Sequence, residues 1–451
     1  MSAKKQIDML NGSIWDKIIL FALPLAASSI LQQLFNAADV AVVGHFSGSI
    51  ALAAVGANSS VINLLVNLFV GLSVGSNVVV ASYIGQNDEK RTSKAVHTSI
   101  LLSIISGLVL VVIGLVFARP ILELISTPED ILDLAVLYLQ IYFSGMPFIM
   151  LYNFTSAILR SKGDTKRPLI SLLVSGIINV LLNLFFVAVL KMSVEGVAIA
   201  TVISNVISSL MLMYFLMHET DALKVDLHQL HIDFDILKRI AKIGIPAGLQ
   251  GIVFSISNVV IQTAVNALGS AAVAASAAAL NLEYFAYFVC SAFAQAATTF
   301  IGQNYAAKKY ERCKQITRWS FILGTICTSV VCIIFILAHK FFISFFTSDL
   351  TVAQFAYTRI YIILSFELLN MIIEIISGCL RGIGYSTIPA IICVAGICGI
   401  RIFYIYTIYP SIASYANLMW IYPISWVFTS GALIIAYLIL QKKAYYVETL
   451  S

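Results

Sequence analysis

The sequence predicts an all-α polytopic membrane protein of about twelve transmembrane helices, arranged as two parallel six-helix repeats. Three observations carry this. The 451-residue chain is 60% hydrophobic and only 11% charged, where a soluble domain carries roughly 25% charge. Residues 40–87, 243–282 and 402–441 contain no Asp, Glu, Lys or Arg, and each stretch is long enough for two spans of about 20 residues. Polar landmarks of the first half recur in the second. Backbone amides in lipid must pair within their own segment, so long apolar runs favour helices over barrel strands.

The N-terminal 1–17 is short and polar, so the apolar run from Ile18 is read as a first span rather than a cleaved signal. Spans are expected at 16–42, 50–82, 93–117, 131–157, 168–190 and 195–217. A polar linker covers 218–234, and a second set follows at 237–264, 271–300, 316–338, 352–377, 389–409 and 418–440. The expected organisation is an N-terminal lobe, 1–217, a cytoplasmic linker, 218–234, and a C-terminal lobe, 235–451. His228 and His231 are read as part of a solvated linker. The seven cysteines, all in the second half, are read as small apolar packing residues.

Basic residues set the orientation. With the N-terminus inside, Lys4, Lys5, Lys17, Lys90, Arg91, Lys94, Arg160, Lys162, Lys166 and Arg167 all face the cytoplasm, as do the Lys and Arg of the linker and of the later inner loops. The outer loops receive only Arg119, Lys191 and Lys340. This bias is expected to put both termini on the cytoplasmic side of a bacterial-type cytoplasmic membrane. The net charge of +5 therefore reflects loop placement and gives no nucleic-acid signal.

The repeat is read from particular residues. ASYIGQN at 81–87 matches TTFIGQN at 298–304, and LRSKG at 159–163 with Pro168 matches LRGIG at 380–384 with Pro389. Pro24 answers to Pro246, and Asn36 to Asn258. Such repeats place a substrate path near the bilayer midplane. These residues, together with Asp39, resemble the multidrug and toxic compound extrusion family over about 15–440. The resemblance implies two six-helix lobes around a central cavity. It also implies export of organic cations or other amphiphiles by antiport, in exchange for protons or sodium. A flippase for lipid-linked oligosaccharide or peptidoglycan precursors is the alternative. It is disfavoured because Arg401 is the one deeply embedded basic residue that depth counting finds. No His pair, Ser–His arrangement or Asp-rich metal motif lies in the spans, which argues against an enzyme, and no nucleotide motif suggests a primary pump. The expected partners are small-molecule substrates and the lipid bilayer, with the chain acting as a monomer without a cofactor.

Several side chains are candidates for the mechanism. Gln32, Asn36 and Asp39 share one face of the first span. A carboxylate at that depth is costly unless paired or hydrated. At 1.5 Å per residue, Asp39, Asn183 and Thr201 all fall about 8–9 Å below the outer surface, with Asn179 about a turn deeper. Hard cations choose oxygen ligands of this kind. In the family a first-helix carboxylate and a polar cluster from the fifth and sixth helices form a cation site. Asp39, Asn179, Asn183 and Thr201 match it, and Asn183 stands where many members carry a second Asp. Sodium at Asp39 is the one metal ion this reading allows. Pro24, fifteen residues before Asp39, offers a bend point. In the second half, Glu283 and Glu374 are expected to lack a basic partner and are the second-lobe candidates, with Glu283 the second candidate after Asp39 for binding a proton or a substrate cation. Arg401 and Glu367 are expected to form a structural ion pair, and Arg359 is expected to snorkel outward.

Overall fold

The computed structural model describes residues 7–125 and 127–446. Lys4, Lys5 and the extreme ends of both expected lobes lie outside the described residues. Among the described residues the chain is helical without a strand.

The first half forms α1 (Trp15–Phe46), α2 (Gly48–Gly85), α3 (Glu89–Leu124), α4 (Glu129–Ser144), α5 (Met146–Ser161), α6 (Lys166–Asn183) and α7 (Val194–Met217). The second half forms α8 (Phe234–Asn266), α9 (Ser270–Ala306), α10 (Tyr310–Leu337), the short α11 (His339–Ser344) and α12 (Leu350–Ile383). It ends with α13 (Thr387–Cys393), α14 (Ile400–Phe403), α15 (Tyr415–Met419) and α16 (Ile421–Tyr446). Among the described residues eleven helices are long and apolar enough to cross a membrane, and α4 with α5, bent by 47°, makes a twelfth when the pair is counted as one span. The expected spans are all found, most of them extended by several residues into the loops. Local caps explain part of the extension. Asp88 accepts from Arg91 N at 2.9 Å to start α3, and Asp349 accepts from Thr351 N at 2.7 Å to start α12.

The bend between α4 and α5 follows from Pro147 in the first turn of α5. Glycines on α3 make room for it. A Cβ on Gly107 would lie 2.3 Å from Pro147 Cα, and one on Gly114 would lie 2.2 Å from Phe143 Cβ.

The chain divides into two compact units, which do not follow the linker. One contains residues 27–248, the other residues 8–26 and 249–446. Each crossing falls two residues after a proline inside a long helix, Pro24 in α1 and Pro246 in α8. In the first unit, the start of α8 meets α2 backbone to backbone. A Cβ on Gly71 would lie 2.3 Å from Gly248 N, and one on Gly75 would lie 2.4 Å from Ile240 O. Small residues permit this approach in membranes. In the second unit, Phe21 packs edge-on against Phe300. Carbonyls of the segment before α1 are also held there. Met9 O accepts from Asn304 at 3.0 Å and Leu10 O from Lys309 at 2.9 Å.

The repeat carries a shift that sequence matching hides. Gly85-Gln86-Asn87 closes α2, with Asn87 at φ 54°, whereas Gly302-Gln303-Asn304 lies within α9 and Lys308, at φ 58°, takes the closing position. The two matched motifs therefore sit one helical turn apart in their helices, and Asn304 serves as the anchor for Met9.

Candidate functional site

The first-unit site is built by α1, α6 and α7. Phe35 of α1 sits on Gly176 of α6 so closely that a Cβ there would lie 1.9 Å from the ring. This contact fixes the register of two helices that run in the same direction. Asp39 follows Phe35 by one turn, while Asn179 and Asn183 follow Gly176 by one and two turns. Thr201 enters from α7, two turns after its start at Val194.

Asn183 donates through Nδ2 to Asp39 Oδ1 at 2.5 Å and to Asn179 Oδ1 at 3.3 Å. Thr201 Oγ1 lies 3.4 Å from Asp39 Oδ2 and also donates to its own Val197 carbonyl at 2.9 Å. Asn179 and Asn183 are buried, and Asp39 and Thr201 are half-buried. Two amide atoms are left over: Asn183 Oδ1 and Asn179 Nδ2 are buried without a partner. Such orphaned groups are rare and call for an explanation. An oxygen-seeking cation would use the Asp39 carboxylate, the amide oxygens and the Thr201 hydroxyl, so the donor set fits sodium as cargo. Asn183 is the last α-helical residue before a π-helical stretch, Leu184–Val189. Such stretches are frequent at functional sites.

Of the five residues expected here, four come together. Asn36 is exposed and makes no recorded hydrogen bond to the cluster; Gln32 is exposed as well. Tyr138 and Tyr142 of α4 were missed. Their rings stack with centroids 6.0 Å apart, and both lie within range of the Asp39 charge. Their i, i+4 spacing puts them on one face, which is the signal that points to them.

The second unit departs from expectation. Glu283 does have a basic partner: Arg359 grips it with Nε at 2.6 Å and Nη2 at 2.9 Å. Arg359 is therefore not a snorkelling residue; it is 4% exposed. The expected Arg401–Glu367 pair does not form. Arg401 reaches Ser425 Oγ at 3.2 Å and Asn258 Oδ1 at 3.4 Å, and it lies over the Tyr422 ring at 4.5 Å. Glu367 accepts instead from Asn370 at 2.8 Å. Two π-helical stretches, Val394–Gly399 and Tyr404–Ile408, flank Arg401. The first of them lies between Pro389 and Arg401 and changes the rotation per residue, so counting residues from Pro389 misjudges where the guanidinium points. Glu374 is buried and feels the charge of Arg381. No group of three or more potential metal ligands from His, Cys, Asp and Glu occurs among the described residues.

Repeated apolar helices with a polar cluster buried at membrane depth define an integral membrane protein of the transport class. The sequence profile of the MatE family matches 24–185 and 246–407, the same two segments that the internal repeat marks. The chain belongs to this family, the multidrug and toxic compound extrusion transporters. It is 30% identical over 401 residues to the probable multidrug resistance protein YoeA of Bacillus subtilis, covering 86% of each chain. It is 26% identical to the probable multidrug resistance protein NorM of Thermotoga maritima, over 83% of this chain and 82% of that one. The fold is similar to that of a solved structure described as the outward-facing conformation of a multidrug resistance MATE family transporter of the MOP superfamily, with a TM-score of 0.89, 21% identity and full coverage of both chains. It also matches a MATE protein crystallised in a bent conformation, with a TM-score of 0.87, 22% identity and 99% coverage of each.

Proposed function

We propose that this protein is a secondary antiporter that exports organic cations or other amphiphilic small molecules in exchange for protons or sodium. Asp39 is the coupling residue in this reading. The observation that supports it is the buried cluster in which one carboxylate is held by Asn183 and Thr201 with two amide atoms unspent. One carboxylate takes up and gives up one proton, and its protonated form leaves no buried charge on the helix. Sodium engages the same oxygens. Pro24 lies fifteen residues before Asp39 in the unbroken helix α1. It removes a backbone hydrogen bond and gives the helix a place to bend when the site changes charge. The flippase alternative calls for a basic chamber, and Glu283 cancels one of the two deeply buried arginines of the second unit, Arg359.

Reconstituted vesicles loaded with an ethidium-like cation test the reading under imposed proton and sodium gradients. Asp39→Asn should abolish gradient-driven export under either ion while the protein still folds and binds the dye. Export by Asp39→Asn at the wild-type rate would remove Asp39 from the coupling role. A wild-type requirement for sodium, with indifference to a proton gradient, would reject protonation and keep the site.

A further inference from the structure

The polar linker between the two repeats is packed against the first unit. Leu223 and Val225 are 2% exposed and join a core with residues of α2, α3, α5 and α7. Val225 N donates to Leu216 O at 3.1 Å, and Lys162 holds Glu219 at 3.0 Å. Beyond Val225 the linker runs along α3 through three side chains. Thr98 Oγ1 accepts from Asp233 N at 3.1 Å, Lys94 pairs with Asp233 at 3.1 Å, and His97 takes Asp226 N at 3.1 Å.

His97 is 2% exposed, and its two ring nitrogens have fixed roles. Nε2 faces a backbone N–H, which only donates, so Nε2 must present its lone pair. Nδ1 lies 2.7 Å from the Ser93 carbonyl, which only accepts, so Nδ1 must carry the hydrogen. Both contacts are met by one neutral tautomer. A second proton would set an N–H against an N–H at the separation now occupied by a hydrogen bond.

We infer that the linker over 225–233 is a proton-released strap, latched onto α3 while His97 is neutral and unlatched when His97 is protonated. The other charged groups facing this contact are committed elsewhere. On α3, Lys94 is held by Asp233, and this hydrogen bond keeps the Asp233 carboxyl below the usual range. On the linker, the Asp226 carboxylate accepts from His228 N at 3.0 Å and Gln229 Nε2 at 3.0 Å, which keeps it low as well. His228 and His231 are exposed; His228 Nδ1 lies 3.3 Å from Asp226 Oδ1 and His231 Nδ1 lies 2.8 Å from the Gln229 carbonyl, so both rings bond within the linker. On α2 and α8, Tyr83 and Arg239 bond to each other at 2.9 Å. His97 is the imidazole buried in this contact, and imidazole is the side-chain class that serves as a pH switch. The strap leads directly into α8: Asp233 Oδ1 accepts from Ile236 N at 3.2 Å in its first turn. The latch thus lies just before the helix that packs on Gly71 and Gly75 of α2. The device is independent of which ion drives transport.

Amide hydrogen exchange on the purified full-length protein tests it, with rates corrected for their intrinsic pH dependence. Between pH 8 and 5.5, protection over 225–233 should fall by up to about tenfold per pH unit, the limit for one linked proton. The amides of α3 should keep theirs. His97→Gln offers an amide oxygen to Asp226 N and should stay protected at both pH values. Asp226→Asn keeps the backbone donor and should retain the pH dependence. Equal wild-type protection at both pH values would overturn the inference, including the case where the Asp226 carboxylate turns and captures the imidazolium. So would a fall in His97→Gln as steep as in the wild type, or loss of the pH dependence in Asp226→Asn.

Discussion

Buried charge in this protein is handled differently in the two halves. In the first, Asp39 meets one amide and one hydroxyl, both neutral partners. In the second, Glu283 is locked by both arms of Arg359, with side chains 10% and 4% exposed. A bidentate pair of this kind is directional, and breaking it strands the surviving charge. Arg359→Met should therefore destabilise the fold by about 3–5 kcal/mol, the usual cost of removing one partner from a buried pair. Glu283→Gln combined with Arg359→Met should recover much of that loss in detergent melting curves. Single variants that melt like the wild type would show the pair to be solvated in the working protein. Arg401 poses a separate problem. It is 3% exposed, has no carboxylate within 4 Å among the described residues, and rests on Ser425, Asn258 and the face of Tyr422.

Helices position these residues through a few close contacts. The seating of Phe35 on Gly176 aligns Asp39 with Asn179 and Asn183. A larger residue at 176 must push α1 away, an overpacking effect that typically costs about 1–3 kcal/mol. Gly176→Leu should reduce gradient-driven export at least tenfold with Asp39 intact, and adding Phe35→Ala should restore part of it. If Gly176→Leu exports normally, the register of α1 on α6 does not control the site. The π-helical stretch after Asn183 recurs about 220 residues later at Tyr404–Ile408, so the repeat preserves a backbone irregularity as well as side chains. In the second half the residues near the corresponding positions are Ile261, Ile400 and Tyr404, so the oxygen cluster itself is not repeated.

For the whole molecule, the division into units shows why the two prolines matter. Each long helix α1 and α8 begins in the unit built mainly by the other half and passes into its own just after its proline. The basic-residue bias predicts that both termini and the linker are cytoplasmic. Cysteines placed singly at Gly48 and Gln229 in a cysteine-free background report this with a membrane-impermeant reagent on intact cells. Position 48 should label and position 229 should not; the reverse pattern would invert the topology. Gln229 suits this role because it is exposed.

The sequence by itself determined the class, the spans and most of the first-unit cluster. These follow from one-dimensional quantities: the length of an apolar run against membrane thickness, and the cost of placing Asp39 within one. It also carried the family, because Pro24, Asp39, the Gly-Gln-Asn motifs and the Leu-Arg motifs keep their spacing. Only the tertiary structure decided that Arg359 rather than Arg401 takes a carboxylate, that Asn36 stays outside the cluster, and that the polar linker is a packed strap. Depth along a helix is a single coordinate. Pairing also depends on rotation about the helix axis, and π-helical turns, bends and a neighbour's side chains set that rotation in three dimensions.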